Sequence, residues 1–242
     1  MRLAILDFGL FEVYQNGRLI GIPGYLIDAG SRKILVDTGF HVDYLADPIG
    51  VSASDQLANF GRLIGYSARY TPSTQLQLLG ISKIEITDVV LTHGHIDHVG
   101  RISEFPHARL WITAQERALP RPSYWAGKSR IATWPNMSTT IITNTVEMIQ
   151  GVTLIPTPGH TLGHMSLLVN LTNSGNVVLA ADAISRPDEL IEDTWGDAED
   201  RELARTSARK LLDLAKREHA MLIYGHCPKQ WIELRKAPLW YD

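Results

Sequence analysis

The chain has 242 residues, a net charge of −3 and one cysteine, with 45% apolar and 20% charged residues. Those values describe a globular chain with material for a large core, and they exclude a disulfide framework and an electrostatic case for nucleic acid as partner. Asp7 breaks the first apolar run too early for a signal peptide, and no stretch approaches the roughly 20 apolar residues of a membrane span. The expectation is a cytoplasmic protein acting on a small molecule, with no membrane partner, and with monomer and homodimer both open.

The elements expected along the chain begin with strands. Leu3 to Phe8 is apolar, and Phe11–Gln15 and Arg18–Ile22 flank Asn16-Gly17, a hairpin signal because both residues tolerate positive φ. Tyr25–Asp28 and Lys33–Asp37 pair around Ala-Gly-Ser. Between Val42 and Leu79, Gln56, Leu57, Phe60, Leu63 and Ile64 fall at near-helical spacing, and Thr71-Pro72 marks a helix start. A buried strand, Asp88–Leu91, runs into Thr92-His93, and Arg109–Thr113 is a strand followed by a short helix at Ala114–Leu119. Pro120–Asn136 reads as an ordered loop rich in proline and aromatic residues. Val152–Ile155, Met165–Asn170 and Val177–Ala181 are further strands. Glu199–His219 is a helix with Ala204, Ala208, Leu211, Leu212 and Ala215 on one face. Met221–Tyr224 is the last strand. No linker separates the halves, so residues 1–242 read as one domain of two strand-then-helix layers, an α/β sandwich with helices outside.

Chemistry concentrates at the ends of these strands. Thr92-His93-Gly94-His95-Ile96-Asp97-His98 places four imidazole and carboxylate groups within six residues, the donor types that zinc and similar divalent ions take. His160 follows a second strand in Pro158-Gly159-His160, Asp182 a third in Ala-Ala-Asp-Ala, and His226 a fourth in Tyr-Gly-His. Seven candidate ligands, His93, His95, Asp97, His98, His160, Asp182 and His226, exceed what one tetrahedral ion uses, so two ions are expected. Two divalent ions can share a water and bring its pKa towards neutrality, which makes hydrolysis the natural chemistry. His41, His107 and His219 read as ordinary loop or surface residues, and Cys227 as packing.

The order His-x-His-x-Asp-His, Gly-His, Asp, Gly-His, with Leu35-Val36-Asp37-Thr38-Gly39 upstream, resembles the metallo-β-lactamase superfamily over essentially the whole chain. The resemblance implies an αβ/βα sandwich of two mixed β-sheets. It also implies one ion on His93, His95 and His160, a second on Asp97, His98 and His226, and Asp182 as a bridge. Asp37 and His164 would sit behind the ligands and orient them. Zinc is the expected metal, with iron, manganese and cobalt as alternatives. Asp97 and Asp182 are the candidate catalytic carboxylates.

Within that superfamily the chain resembles the N-acyl homoserine lactone lactonases in size, ligand set, the insert after Asp-Thr-Gly and the late Gly-His. One departure is Ser185, three residues after Asp182, where many of those lactonases carry a tyrosine. The resemblance implies lactone-ring opening by an activated water. Other hydrolases of the superfamily, acting on phosphodiesters, thioesters or amides, and an iron-bound redox protein are the alternatives. Ile96, Ser185, Phe60, Ile64, Tyr124 and Trp125 are the candidate substrate contacts, because loops at the ligand-bearing strand ends form the walls of the cleft.

Overall fold

In the computed structural model, residues 1–125, 129–195 and 198–242 are described; residues 126–128 of the proline-rich loop lie outside them. The strands are β1 (Arg2–Val13), β2 (Arg18–Asp28), β3 (Lys33–Val36), β4 (Gly61–Ile64), β5 (Asp88–Val90) and β6 (Arg109–Thr113). They continue as β7 (Thr139–Ile142), β8 (Val146–Ile149), β9 (Val152–Pro156), β10 (Met165–Leu171), β11 (Gly175–Ala181) and β12 (Met221–Tyr224). The helices are α1 (Pro48–Ser54), α2 (Pro72–Leu78), α3 (Ile96–Val99), α4 (Ala114–Ala118), α5 (Pro187–Glu192), α6 (Arg201–Arg217) and α7 (Pro228–Glu233).

Two mixed sheets result. The first has the order β4-β1-β2-β3-β5-β6-β7 and the second β12-β11-β10-β9-β8. In the first, β3, β5, β6 and β7 run parallel while β1, β2 and β4 are antiparallel to their neighbours; in the second, only β11 and β12 pair parallel.

Both faces of the first sheet are buried, which explains why its strands read as continuous apolar runs. Leu3, Ile5, Tyr25, Ile27, Ile34 and Val36 point inward and meet Leu154, Met165, Leu167, Val177 and Leu179 of the second sheet. The alternate residues Ala4, Leu6, Leu26, Leu35 and Val89 turn outward under Leu76, Val99, Ile102 and Phe105. On the outer face of the second sheet, Leu168, Val178 and Ala180 are covered by Ala204, Ala208, Leu211 and Leu214 of α6. Asp200 starts α6 by accepting the Leu203 N–H at 3.0 Å, and Lys216 and Arg217 end it, the charge order that suits the helix dipole. Among the described residues, no helix is long and apolar enough to cross a membrane.

One sequence expectation is corrected here. The helical spacing at Gln56–Ile64 is not a helix: Leu57–Asn59 is a single 3-10 turn and Gly61–Ile64 is β4, an edge strand on β1. The cause is close approach. A Cβ on Gly61 would lie 2.1 Å from the Glu12 carbonyl oxygen and 2.3 Å from the Phe11 ring, so only glycine lets the two backbones pair there. Phe60 then stacks on Phe11 with ring centroids 5.8 Å apart. The first hairpin also differs in detail, with Val13 opposite Arg18 and a four-residue turn rather than two. Strands β7 and β8 and helices α1, α3, α5 and α7 are additions to the sequence reading.

Candidate metal centre

Five strands that end at the same edge of the sandwich deliver the polar residues. Asp37 follows β3, His93 lies three residues beyond β5, His160 four beyond β9, Asp182 directly after β11, and His226 two beyond β12. His95 caps the short helix α3, which carries Asp97 and His98 on its first turns.

The structure brings all seven candidate ligands together. His93, His95 and His160 form one group able to hold an ion, and Asp97, His98 and His226 form another. A third combination, His93, His98 and Asp182, spans the two. Asp182 stands between them: its Oδ2 is 3.3 Å from His160 Nε2 and 3.8 Å from His93 Nε2, while its Oδ1 is 3.3 Å from His226 Nε2. Oδ2 of Asp97 lies 3.6 Å from both His98 Nε2 and His226 Nε2.

Groups behind the cluster fix the direction of the His93, His98 and His226 rings. Asp37 adopts φ +62, a left-handed conformation that aspartate tolerates, and its carboxylate accepts three hydrogen bonds at 2.8 Å. They come from the Thr92 N–H, the Thr92 hydroxyl and His98 Nδ1. His93 Nδ1 is 3.1 Å from the Thr92 hydroxyl, which is already donating to Asp37, so the ring donates there and turns Nε2 into the cluster. His226 Nδ1 donates to the Gly21 carbonyl at 3.0 Å with the same effect. His164 has both nitrogens engaged: Nε2 accepts the Asp182 N–H at 3.1 Å, and Nδ1 donates to Thr157 at 2.9 Å. It holds the backbone of Asp182 from behind.

The donor set fits divalent ions. His93 Nε2, His98 Nε2 and Asp182 Oδ1 are buried with no hydrogen-bond partner, and His93, His98 and Asp182 lie close enough together for one bound cation to satisfy them. Burial, reinforced by the imidazoles of His98 and His95, holds His93 well below the usual histidine range. Burial likewise lowers His95 and His160 to about 3, against the pull of Asp182. These rings are therefore neutral, the form that binds metal. His226 is raised to about 9, because Asp182 and Asp97 outweigh the burial that opposes its charge. Asp182 is held well below the carboxylate range: burial opposes this, but His226 and His98 prevail.

A cavity opens over the cluster. Its lining includes His95, Asp97, His160, Asp182 and His226, with Ile96, Phe60, Trp125 and Ser185 from the expected contacts. Phe11, Ile20, Ile22, Phe40 and Leu57 extend the apolar wall. The Trp125 ring stands 5.2 Å from His95 and 5.7 Å from Phe60. Two expected contacts are corrected. Tyr124 is fully buried, with its N–H donated to the Gly94 carbonyl at 2.9 Å, and Ile64, on β4, pairs with Leu10 of β1; neither lines the cavity. The wall residues Phe11, Ile20 and Ile22 were missed because they sit on strands where they read as core; the period-2 pairing of Phe11 with Ile20 was the available signal. Arg18 and Arg186 add polar groups to the lining that sequence spacing did not reveal.

Comparison with known proteins agrees with this geometry. The family profile described as the metallo-beta-lactamase superfamily matches residues 21–226. An N-acyl homoserine lactonase of Bacillus thuringiensis is 26% identical over 239 residues, covering 92% of this chain and 88% of the relative. The N-acyl homoserine lactonase AttM of Azorhizobium caulinodans is 29% identical over 246 residues with the same coverage. Among solved structures, a B. thuringiensis AiiA mutant with N-decanoyl-L-homoserine bound at its active site superposes with a TM-score of 0.86 at 22% identity, covering 99% of this chain and 98% of that one. AidC, a dizinc quorum-quenching lactonase, superposes at 0.63 and 20% identity over 92% of this chain and 79% of that one. At those identities the two superpositions speak for the fold alone.

Proposed function

The chain belongs to the metallo-beta-lactamase superfamily, and from that premise we propose that it is a dinuclear zinc hydrolase that opens the lactone ring of N-acyl homoserine lactones. The observation that carries the reading is the apolar wall of Phe11, Ile20, Ile22, Phe40, Phe60 and Trp125 directly over a His/Asp cluster able to hold two ions. Such a wall suits an acyl chain. The curated relatives, named as N-acyl homoserine lactonases, support the same substrate class.

One ion would be held by His93, His95 and His160, the other by Asp97, His98 and His226, with Asp182 between them. When bound, the ions supply Lewis acidity and an acidified water. The protein's own groups do the rest. Ile96 and Trp125 confine the substrate and exclude bulk water, and His164, Asp37 and the Gly21 carbonyl keep the inner groups aimed. Ring opening consumes one water: its oxygen bonds to the ring carbonyl carbon, the ring C–O bond breaks, and the ring oxygen takes a proton. Asp97 lines the cavity and is the carboxylate placed to carry that proton on its free oxygen. Ser185, whose N–H donates to Glu189 at 2.8 Å, stands where a tyrosine would otherwise reach the leaving group, so Asp97 carries more of that task. The new carboxylic acid ionises, releasing one proton per turnover. Residues 1–242 act as one unit in this reading, and the single buried cysteine fits a reducing compartment such as the cytoplasm.

A second reading draws on Arg18 and Arg186, which line the same cavity and would suit an anionic phosphodiester. Arg186 is paired with Glu189 at 3.1 Å, which offsets its charge and favours the neutral lactone. Proton release from lactones of graded acyl length, beside phosphodiester, thioester and β-lactam controls, tests the proposal. Phosphodiester cleavage with no lactone opening at any chain length would replace the first reading by the second.

A further inference from the structure

We infer that Glu116 is a positioning residue that sets the spacing between the two ligand-bearing turns, His93-Gly94-His95 and His160-Thr161, and so builds the first metal position. The inference rests on the metal reading above and extends it to a residue that touches no ligand side chain.

Glu116 lies on α4 and is 2% exposed. Its Oε1 accepts the Thr161 hydroxyl at 2.5 Å, one residue after His160. Its Oε2 is buried with no partner of good geometry and faces the peptide of Gly94, between His93 and His95. A Cβ on Gly94 would stand 2.9 Å from that oxygen. On the second turn, a Cβ on Gly163 would stand 2.5 Å from Glu116 Cγ and 2.6 Å from its backbone nitrogen. Gly94, inside the first turn, and Gly163, three residues after His160, thus both approach Glu116 closely. Thr113 locks the wedge in place, since its hydroxyl accepts the Glu116 N–H at 3.4 Å and donates to the Gly163 carbonyl at 2.6 Å. The rings carried by the two turns meet beyond it, with His95 Nδ1 and His160 Nε2 3.0 Å apart.

A residue with a merely structural role would, when removed, loosen the whole fold and release both ions together. A spacer acts on one position only. Wild type, Glu116→Gln, Glu116→Ala and Thr161→Val should be loaded with zinc and challenged with graded chelator. Retained metal is read by elemental analysis, with Tm measured on the metal-free forms. Glu116→Ala should lose one of the two ions at roughly 10–100-fold lower chelator concentration, the effect typical of groups that orient ligands, and keep the other as wild type does. Glu116→Gln, which keeps the shape and the acceptor for Thr161, should restore most of the retention, and Thr161→Val should fall between. Release of both ions at wild-type concentrations, or of both together alongside a lowered Tm, would overturn the inference. If Glu116→Ala does not fold, unchanged retention in Thr161→Val overturns it instead. A wild-type protein that never holds two ions would remove the metal reading itself, and this inference with it.

Discussion

Oδ2 of Asp37 lies 2.8 Å from Nδ1 of His98, joining the turn after β3 to the helix that carries two candidate ligands. Both groups are buried, and the same carboxylate also holds the hydroxyl of Thr92, next to His93. Asp37→Asn keeps the size but replaces one acceptor oxygen with a donor that must face His98 Nδ1 or Thr92. Metal affinity or turnover should fall by roughly 10–100-fold, as is typical of groups behind a metal ligand. A titration with zinc and a turnover assay that both match wild type would deny Asp37 this role.

Asp182 and His164 separate ligand from support. Asp182 faces both histidine groups, whereas His164 has no free nitrogen. Asp182→Asn should therefore bind fewer than two ions and lose nearly all turnover. His164→Gln should still reach two ions per chain under excess metal, with reduced affinity. Elemental analysis giving the reverse order would exchange the two assignments.

The metal-free chain should be most stable near pH 6.5. Burial holds His95, His160 and His164 at about 3 in the fold, while an unfolded histidine titrates at about 6.5. Their contribution is present above about pH 6.5 and is lost as the pH falls towards 3. Asp182, held low in the fold, adds to the same acid-side loss. His226 works the other way: with a folded pKa of about 9, its contribution is complete below about pH 6.5 and is lost as the pH rises through 9. More groups act on the acid side, so Tm of the chelated protein should fall more steeply there than towards alkali. A flat profile from pH 4 to 9 would contradict this arrangement of charges.

The sandwich and its polar edge were legible because they depend on local pattern. Each ligand stands just after an apolar run, and His93 to His98 sit so close in the chain that few folds could separate them. The helix expected at Glu199–His219 was legible from its buried stripe, while the Asp200 cap sets its start at Arg201 and was not read from the sequence. The edge strand β4 was not, because Leu57, Phe60, Leu63 and Ile64 satisfy a helical period, and only contact with β1 shows why Gly61 forces extension. The cavity wall was legible in part. Phe60 and Trp125 lie on inserts that must frame the site, but a strand residue such as Ile20 carries no mark that separates a cavity wall from a core. Tyr124 shows the converse: adjacent to Trp125 and equally aromatic, it turns inward because both residues adopt positive φ, 60 and 67, a backbone geometry that no spacing rule predicts.

The wall itself yields the last prediction. Trp125 closes the cavity beside His95, and Phe60 supports it from β1's edge. If an acyl chain lies along them, each methylene buried there contributes up to about 0.8 kcal/mol, or about fourfold in KM. Wild-type KM should therefore fall as the acyl chain lengthens, until the groove is filled. Trp125→Ala removes a ring that packs edge-on against His95 but supplies no metal-binding atom, so kcat for the shortest lactone should fall only modestly, while the gain per methylene shrinks for longer chains. Phe60→Ala should flatten the same series and also loosen β4, since Phe60 stacks on Phe11. Trp125→Phe, which keeps an aromatic face, should recover part of the chain-length dependence. The series needs KM and kcat for each enzyme across four or more acyl lengths. If Trp125→Ala and wild type gave parallel lines, the acyl chain would have to lie elsewhere, and the wall would be packing for the inserts alone.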